Sequence, residues 1–149
     1  MATTSAIGMV TKNGSVRAVA CHWDGYIAHV GRILHDCYSD EHKVRRLLAL
    51  GSLCSLEEAL SPPRGVRHSL EHPMEGVTVA YHRDGGEDMM PPLWFENADA
   101  YRMDAESVFM ANYVYLFKDG VWLVLDGQAW VDVSALLQNF WTRAKNYRK

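Results

Sequence analysis

The chain has 149 residues and a formal net charge of −3, with 48% apolar and 22% charged residues. This composition is typical of a globular protein, so we expect one domain over residues 1–149 with its own hydrophobic core. The negative charge argues against nucleic acid as a partner. No apolar run approaches the roughly 20 residues that a membrane-spanning helix needs, and Met1 to Val10 lack a signal-peptide pattern, which argues against a membrane partner.

Cys21, Cys37 and Cys54 are an odd number of cysteines without metal-ligand spacing. They are expected to be free thiols, which is typical of the cytoplasm. The sequence contains no Walker loop, dinucleotide-binding glycine motif, zinc-finger spacing or nucleophile elbow, so we expect no cofactor and assign no metal ligands, while the sequence leaves open whether a metal is bound.

Turn signals and apolar periodicity predict the elements of the first half of the chain. Asn13-Gly14 lies between two short apolar runs, which is a strong hairpin signal. Apolar residues at helical spacing then predict two consecutive helices. The predicted elements are strands at Ile7–Thr11 and Val16–Cys21, a helix at Ile27–Cys37, a helix from Ser39-Asp40 to Gly51, and an extra helical turn at Ser55–Leu60.

In the second half, the Pro-rich Ser61–Glu75 and the acidic Asp84–Pro92 are predicted to be loops. The predicted strands are Gly76–Arg83, Val108–Phe117 and Val121–Leu125, with turns at Asp119-Gly120 and Asp126-Gly127. An amphipathic C-terminal helix carries Val133, Leu136, Leu137, Phe140, Trp141, Ala144 and Tyr147 on one face, with Asp132 or Ser134 as its cap. The sum is an α+β fold, an antiparallel sheet of about five strands built from hairpins, with about three helices on one face.

One sequence element occurs twice. Val19 to Gly25 and Val79 to Gly85 share Val, Ala, His, Asp and Gly at corresponding positions. Alternate residues of a strand share a face, so His22 is expected to project with Asp24, and His82 with Asp84. If the two strands are neighbours, these four side chains converge; the sequence leaves that adjacency open.

Such a cluster has three possible chemical uses: a metal site, acid–base catalysis, or a polar ligand site. In a ligand site, His22, His82 and Arg83 would contact an anion, while Trp23, Tyr26 or Tyr81 would stack on a base. The alternative is structural, because Asp-Gly is a common turn signal that recurs twice more in this chain. A smaller basic patch, formed by Arg64, Arg67, His68 and His72, is interpreted as a solvated loop.

The stretch Cys21-His22-Trp23-Asp24-Gly25-Tyr26, followed by Val30-Gly31, resembles small uncharacterised proteins encoded by tailed phages and prophages. Val77 to Asp88, with Ala80-Tyr81-His82-Arg83-Asp84, is similar to a second block of that family. There an arginine often stands where this chain has Gly85, so this chain has one cation fewer at the expected site. The resemblance implies no catalytic residues, and it implies a protein acting in the cytoplasm of an infected bacterial host.

Small acidic phage proteins without enzyme motifs often disable host defences, and the comparison of this chain with that class of proteins is an analogy. We therefore expect a non-enzymatic counter-defence protein, comparable to anti-CRISPR inhibitors. It would bind a host defence protein or sequester a nucleotide-type signal through His22, Trp23, Asp24, Tyr26, Tyr81, His82, Arg83 and Asp84.

Two alternatives stay open. One is a metal-dependent phosphoesterase acting on a nucleotide through the two His-x-Asp elements. The other is a protein-interaction module that has no pocket and acts through its aromatic surface. Self-association is also left open, because small sequestering proteins often build pockets between subunits.

Overall fold

Asn13 and Gly14 close the first hairpin of the chain, as their sequence predicts. In the computed structural model, which describes residues 2–139, the side-chain oxygen of Asn13 accepts a hydrogen bond from Thr11 Oγ1 at 2.6 Å. Gly14 has a φ of 86°, a left-handed conformation that glycine adopts without strain. These local contacts hold the two flanking strands in antiparallel register.

The described residues form one eight-stranded sheet with helices on both of its faces. The strands are β1 (Ser5–Val10), β2 (Val16–Cys21), β3 (Leu53–Ser55), β4 (Val79–Ala80), β5 (Leu93–Phe95), β6 (Tyr113–Lys118), β7 (Val121–Asp126) and β8 (Ala129–Asp132). The helices are a π-helical turn at Ile27–Gly31 that continues into α1 (Arg32–Cys37), α2 (Glu41–Ala49), α3 (Tyr81–Gly85), α4 (Ala98–Phe109) and α5, which is helical over residues 133–139.

The strand order is β4-β3-β2-β1-β6-β7-β8, and β5 pairs with the first half of β2. The α+β class and the mostly antiparallel sheet are confirmed, but the sheet has eight strands rather than about five, and the described residues form five helices rather than about three. Two pairs, β1 with β6 and β2 with β3, are parallel. The additional strands β3, β5 and β8 have only three or four residues each, which is too short to produce a recognisable alternating pattern.

Two hydrophobic cores lie on opposite faces of the sheet, since neighbouring residues of a strand point to opposite sides. Ile7 of β1 packs into the core beneath α1, α2 and α5. Ala6 packs into a smaller core beneath α4. The expectation that all helices lie on one face is therefore wrong, because α4 covers the other face.

Helix α4 replaces the beginning of the strand predicted at Val108–Phe117, so that strand starts only at Tyr113. Asn97 caps the helix, with its side-chain oxygen accepting the amide of Ala100 at 2.8 Å. Only Tyr101 and Ala105 of this helix are fully buried. Such a narrow inward face gives little apolar periodicity, which is why the sequence pattern did not indicate a helix.

The extra helical turn predicted at Ser55–Leu60 is also wrong. The backbone of Glu57 is bonded to the side chain of Thr78, which accepts from its amide at 3.0 Å and donates to its carbonyl at 3.1 Å. The amide of Thr78 in turn donates to the carbonyl of Ala59 at 2.9 Å. These contacts hold the segment extended beside the chain that leads into β4, so its backbone groups are not available for a helix.

The C-terminal helix begins where the sequence predicts. Asp132 Oδ1 accepts the amide of Ser134 at 2.8 Å, which is the expected cap. Val133 and Leu137 are buried in the core under α1 and α2, as the amphipathic pattern requires. The rest of that predicted face, Phe140, Trp141, Ala144 and Tyr147, lies outside the described residues.

The three cysteines are free thiols, as expected. Burial raises the pKa of the Cys21 thiol to about 12, which keeps that thiol protonated at neutral pH. Among residues 2–139, no helix is both long and apolar enough to cross a membrane.

Gly8 provides a direct test of the packing of α4 on the sheet. A Cβ atom at this position would lie 2.9 Å from Cζ of Tyr101, whose ring is fully buried and whose hydroxyl donates to the carbonyl of Tyr115 at 2.9 Å. Gly8→Ala should therefore destabilise the chain by about 1–3 kcal/mol in urea denaturation. Tyr101→Leu should partly relieve the clash in the double variant. An alanine variant as stable as the parent would show that α4 does not pack here.

Candidate functional site

The first copy of the repeated element begins in β2 and continues past the end of that strand, where the chain lies next to β3. The amide of His22 donates to the carbonyl of Leu53 at 3.0 Å, and the amide of Trp23 donates to that of Cys54 at 3.1 Å. The side chains of His22, Trp23, Asp24 and Tyr26 are all exposed. Trp23 is 44% exposed and Tyr26 is 42% exposed, so this copy presents its side chains to solvent.

Asp24 and Gly25 have a structural role in this copy. Asp24 has a φ of 56°, a conformation that aspartate tolerates better than most residues. A Cβ at Gly25 would lie 2.8 Å from the carbonyl oxygen of Thr3, so only glycine fits against the N-terminal segment. The carbonyl of Gly25 also accepts the buried hydroxyl of Tyr115 at 2.7 Å.

The second copy does not continue as a strand, which corrects the strand predicted over Gly76–Arg83. The strand β4 ends at Ala80, and the chain then turns into the short helix α3. His82 and Asp84 therefore do not project together. His82 is exposed and its Nδ1 lies 2.7 Å from the carbonyl of Glu87, whereas the carboxylate of Asp84 points inward and is 5% exposed.

The two copies are not neighbours, because β3 lies between β2 and β4. The four side chains of His22, Asp24, His82 and Asp84 consequently do not converge. Within residues 2–139, no group of three or more His, Cys, Asp or Glu side chains is placed to hold a metal ion.

Asp84 instead belongs to a buried cluster with His68, whose side chain is 1% exposed. His68 Nδ1 accepts the amide of Met74 at 3.0 Å, so the ring proton is on Nε2. This nitrogen lies 3.1 Å from the carbonyl of Thr78 and 3.3 Å from Asp84 Oδ2. The Pro-rich segment 61–75 is irregular, as predicted, but His68 anchors it to the body of the protein.

Arg83 takes part in the same anchoring. Its guanidinium donates to the Asp84 carboxylate at 2.9 Å, to the carbonyl of Thr78 at 2.8 Å and to that of Leu60 at 2.9 Å. Three of its nitrogens are thus occupied by acceptors within the protein. Arg83 therefore ties the loop to α3.

The environment of Asp84 favours its charged form. Burial alone raises the pKa of this carboxyl, but hydrogen bonds from Arg83 and from the amide of Ala80 outweigh that effect, and the charge of Arg83 acts in the same direction. The pKa of Asp84 is therefore lower than usual. An ionised carboxylate at this position reaches back to the amide at the start of α3, which explains why a helix forms there.

A groove lies at the start of α3, and its lining contains one predicted site residue from each copy of the repeated element. His22 and Tyr81 line it together with Ser52, Phe109, Met110 and Asn112, and its cavity volume is about 450 Å³. This volume falls within the range of small-ligand pockets. Burial, followed by a hydrogen bond with Cys54, raises the pKa of Tyr81 to about 12, so its hydroxyl stays protonated.

The rim of the groove combines apolar surface with hydrogen-bonding groups. Met110, at the end of α4, is 83% exposed, and its φ of 53° ends the helix. On the other side, the Asn112 side chain accepts the amide of Thr4 at 3.2 Å, and Thr4 Oγ1 donates to the carbonyl of His22 at 3.3 Å. No arginine, lysine, aspartate or glutamate of the described chain lines this groove.

The structure thus brings together only part of the predicted set. Trp23, Asp24 and Tyr26 lie outside the groove lining, as do His82, Arg83 and Asp84. The sequence did not indicate Ser52, Phe109, Met110 or Asn112 as site residues, because β3 and α4 have no recognisable pattern.

Comparisons with protein-family models, with curated proteins and with solved structures found no match to the chain.

The role of Asp84 can be tested with the same substitution in both copies. Asp84→Asn should cost about 3 kcal/mol of unfolding free energy at pH 7, because it leaves Arg83 without its buried partner. Asp24→Asn, at the exposed position, should cost less than about 0.5 kcal/mol.

The stability lost in Asp84→Asn should depend on pH, because the pKa of Asp84 is lowered. The stabilisation is complete above the unfolded pKa of about 4 and disappears as the pH falls through the folded value. The two variants should therefore differ at pH 7, begin to converge below about pH 4 and become equally stable only below the folded pKa of Asp84. Equal stability of the two variants at pH 7 would contradict the buried cluster.

Proposed function

We propose that the chain is a non-enzymatic phage accessory protein that counters host antiviral defence by binding a host effector protein. The observation that carries this proposal is the groove between His22 and Tyr81. Exposed apolar surface at Met110 adjoins hydrogen-bonding groups on His22, Tyr81 and Asn112. Apolar or aromatic anchors beside polar groups are typical of protein-recognition surfaces. The phage assignment rests on the family resemblance of the sequence.

A protein partner fits this groove better than a nucleotide signal does. A nucleotide carries phosphates, which proteins commonly bind with arginine, lysine or a helix N-terminus. The described lining supplies no such cation, and Arg83 is occupied by Asp84 and backbone carbonyls. An apolar side chain of a partner would contact Phe109 and Met110 without needing a cation.

The phosphoesterase alternative requires the two His-x-Asp elements to lie together, and in the structure they do not. That chemistry needs His22, Asp24, His82 and Asp84 in one place, but β3 separates the two copies. Asp84 is also held by Arg83 and the amide of Ala80. We therefore do not propose a hydrolytic activity.

Met110 and Met103 offer a matched pair of variants for the test. Both methionines are exposed, at 83% and 72%, but only Met110 lines the groove. Tagged forms of the parent, Met110→Glu and Met103→Glu should be expressed in bacterial strains that each carry one antiviral defence system, and these strains challenged with a phage that the system blocks.

The parent should restore plaques on at least one strain and co-purify with the effector of that system. Met110→Glu should weaken binding by about 2 kcal/mol, or about thirtyfold, because it places a charge in the contact. Met103→Glu should behave as the parent does. The proposal fails if no strain is rescued, or if the two glutamate variants are equally active. Thermal stabilisation by a cyclic or ADP-ribose-type nucleotide would favour the nucleotide alternative instead.

A further inference from the structure

A shallow cleft lies on the α2 side of the sheet, on the opposite face from α4. Arg17 is directly opposite Met9 in the β1–β2 pair and opposite Trp94 in the β2–β5 pair. Residues directly opposite each other in antiparallel strands share a face, so these three side chains form a row across the sheet. Arg45 and Pro92 help to complete the cleft, which has a cavity volume of about 300 Å³.

The floor of the cleft is apolar. Leu48 and Met9 are 3% and 4% exposed and pack into the core beneath α2, and Ala49 lies next to them. Two exposed apolar side chains lie outside the cleft lining. Trp94, which is 54% exposed, follows Arg17 in the row across the sheet, and Met90, which is 64% exposed, belongs to the loop that precedes Pro92.

The charged groups of the cleft are all positive. Arg17 is exposed and makes no salt bridge or side-chain hydrogen bond with another described residue. Arg45 uses one guanidinium nitrogen to bind Glu41 at 2.8 Å, which leaves its other nitrogens available. Among the described residues, no aspartate or glutamate lines the cleft. A cationic cleft on a chain of net charge −3 is complementary to an anionic partner.

The wall formed by Pro92 is fixed in position. The preceding loop is held by the amide of Ser52, which donates to the carbonyl of Met90 at 3.2 Å. Gly51 has a φ of 76°, and a Cβ there would collide with that carbonyl, so the close approach requires glycine. A wall ordered in advance reduces the entropy lost on binding.

We propose that this cleft docks an acidic segment of a partner protein. One apolar side chain of that segment would lie against Met9, Leu48 and Ala49. Flanking carboxylates would pair with Arg17 and Arg45. The shallow shape and the exposed side chain of Trp94 on the far side of Arg17 favour a polypeptide over an enclosed small molecule. The proposal goes beyond the groove at His22, because it uses other residues on the other face of the sheet.

The test uses a fluorescein-labelled pool of pentapeptides, each with one apolar residue between two pairs of glutamates. Binding to the whole chain is followed by fluorescence anisotropy, and amide NMR spectra locate the contact. A matched pool carries lysines instead of glutamates. Arg17→Glu with Arg45→Glu reverses the cleft charge, whereas Arg64→Glu with Arg67→Glu makes the same change of net charge in the exposed loop.

The acidic pool should bind the parent chain and shift the amides of Arg17, Leu48 and Trp94. The cleft variant should bind at least about tenfold more weakly, and the loop variant should bind as the parent does. A milder pair, Arg17→Gln with Arg45→Gln, should also weaken binding if glutamates disturb folding. No binding of the acidic pool, equal binding of the lysine pool, or equal loss in the loop variant would overturn the proposal. Displacement of the pool by octanoate at comparable affinity would also overturn it, since the cleft would then be a small-molecule site.

Discussion

The buried carboxylate of Asp84 is the contact on which the candidate site depends. A carboxylate removed from water is stable only when its oxygens are paired, and here the partners are Arg83, His68 and the amide of Ala80. These partners come from α3, from the loop of residues 61–75 and from the end of β4. The cluster thereby fixes the start of α3, and with it the position of Tyr81 in the wall of the groove.

The two copies of the repeated element have the same residues but different roles. In the first copy, the chain continues beside β3 and leaves His22 exposed at the groove. In the second copy, the aspartate turns inward and the element becomes a helix. Gly25 is required by a close contact, since a Cβ there would meet the backbone carbonyl of Thr3, whereas a Cβ at Gly85 would lie 2.7 Å from the side-chain tip of Leu70, which can shift. The shared Asp-Gly therefore reflects folding, whereas the recognition role that we propose uses His22.

Local signals made part of this fold predictable. Asn13-Gly14 and Asp119-Gly120 define hairpins by their backbone preferences, and Asp40 caps α2 through the amide of His42. Contacts between distant segments were not predictable in this way. His68 reaches Asp84 from an aperiodic loop, and the narrow buried face of α4 gave no helical pattern. The groove was therefore only half predicted, because one side of it is the end of α4.

The most direct test of the structural role of the second copy is hydrogen–deuterium exchange of Asp84→Ala, compared with Asp24→Asn. Loss of the carboxylate should speed exchange at the amides of Leu70, Met74 and Ala80 by about tenfold or more, well beyond the change in the β1–β2 hairpin. The exposed Asp24→Asn should leave these rates as they are in the parent. Unchanged exchange over residues 66–84 in Asp84→Ala would contradict the structural assignment of the second copy.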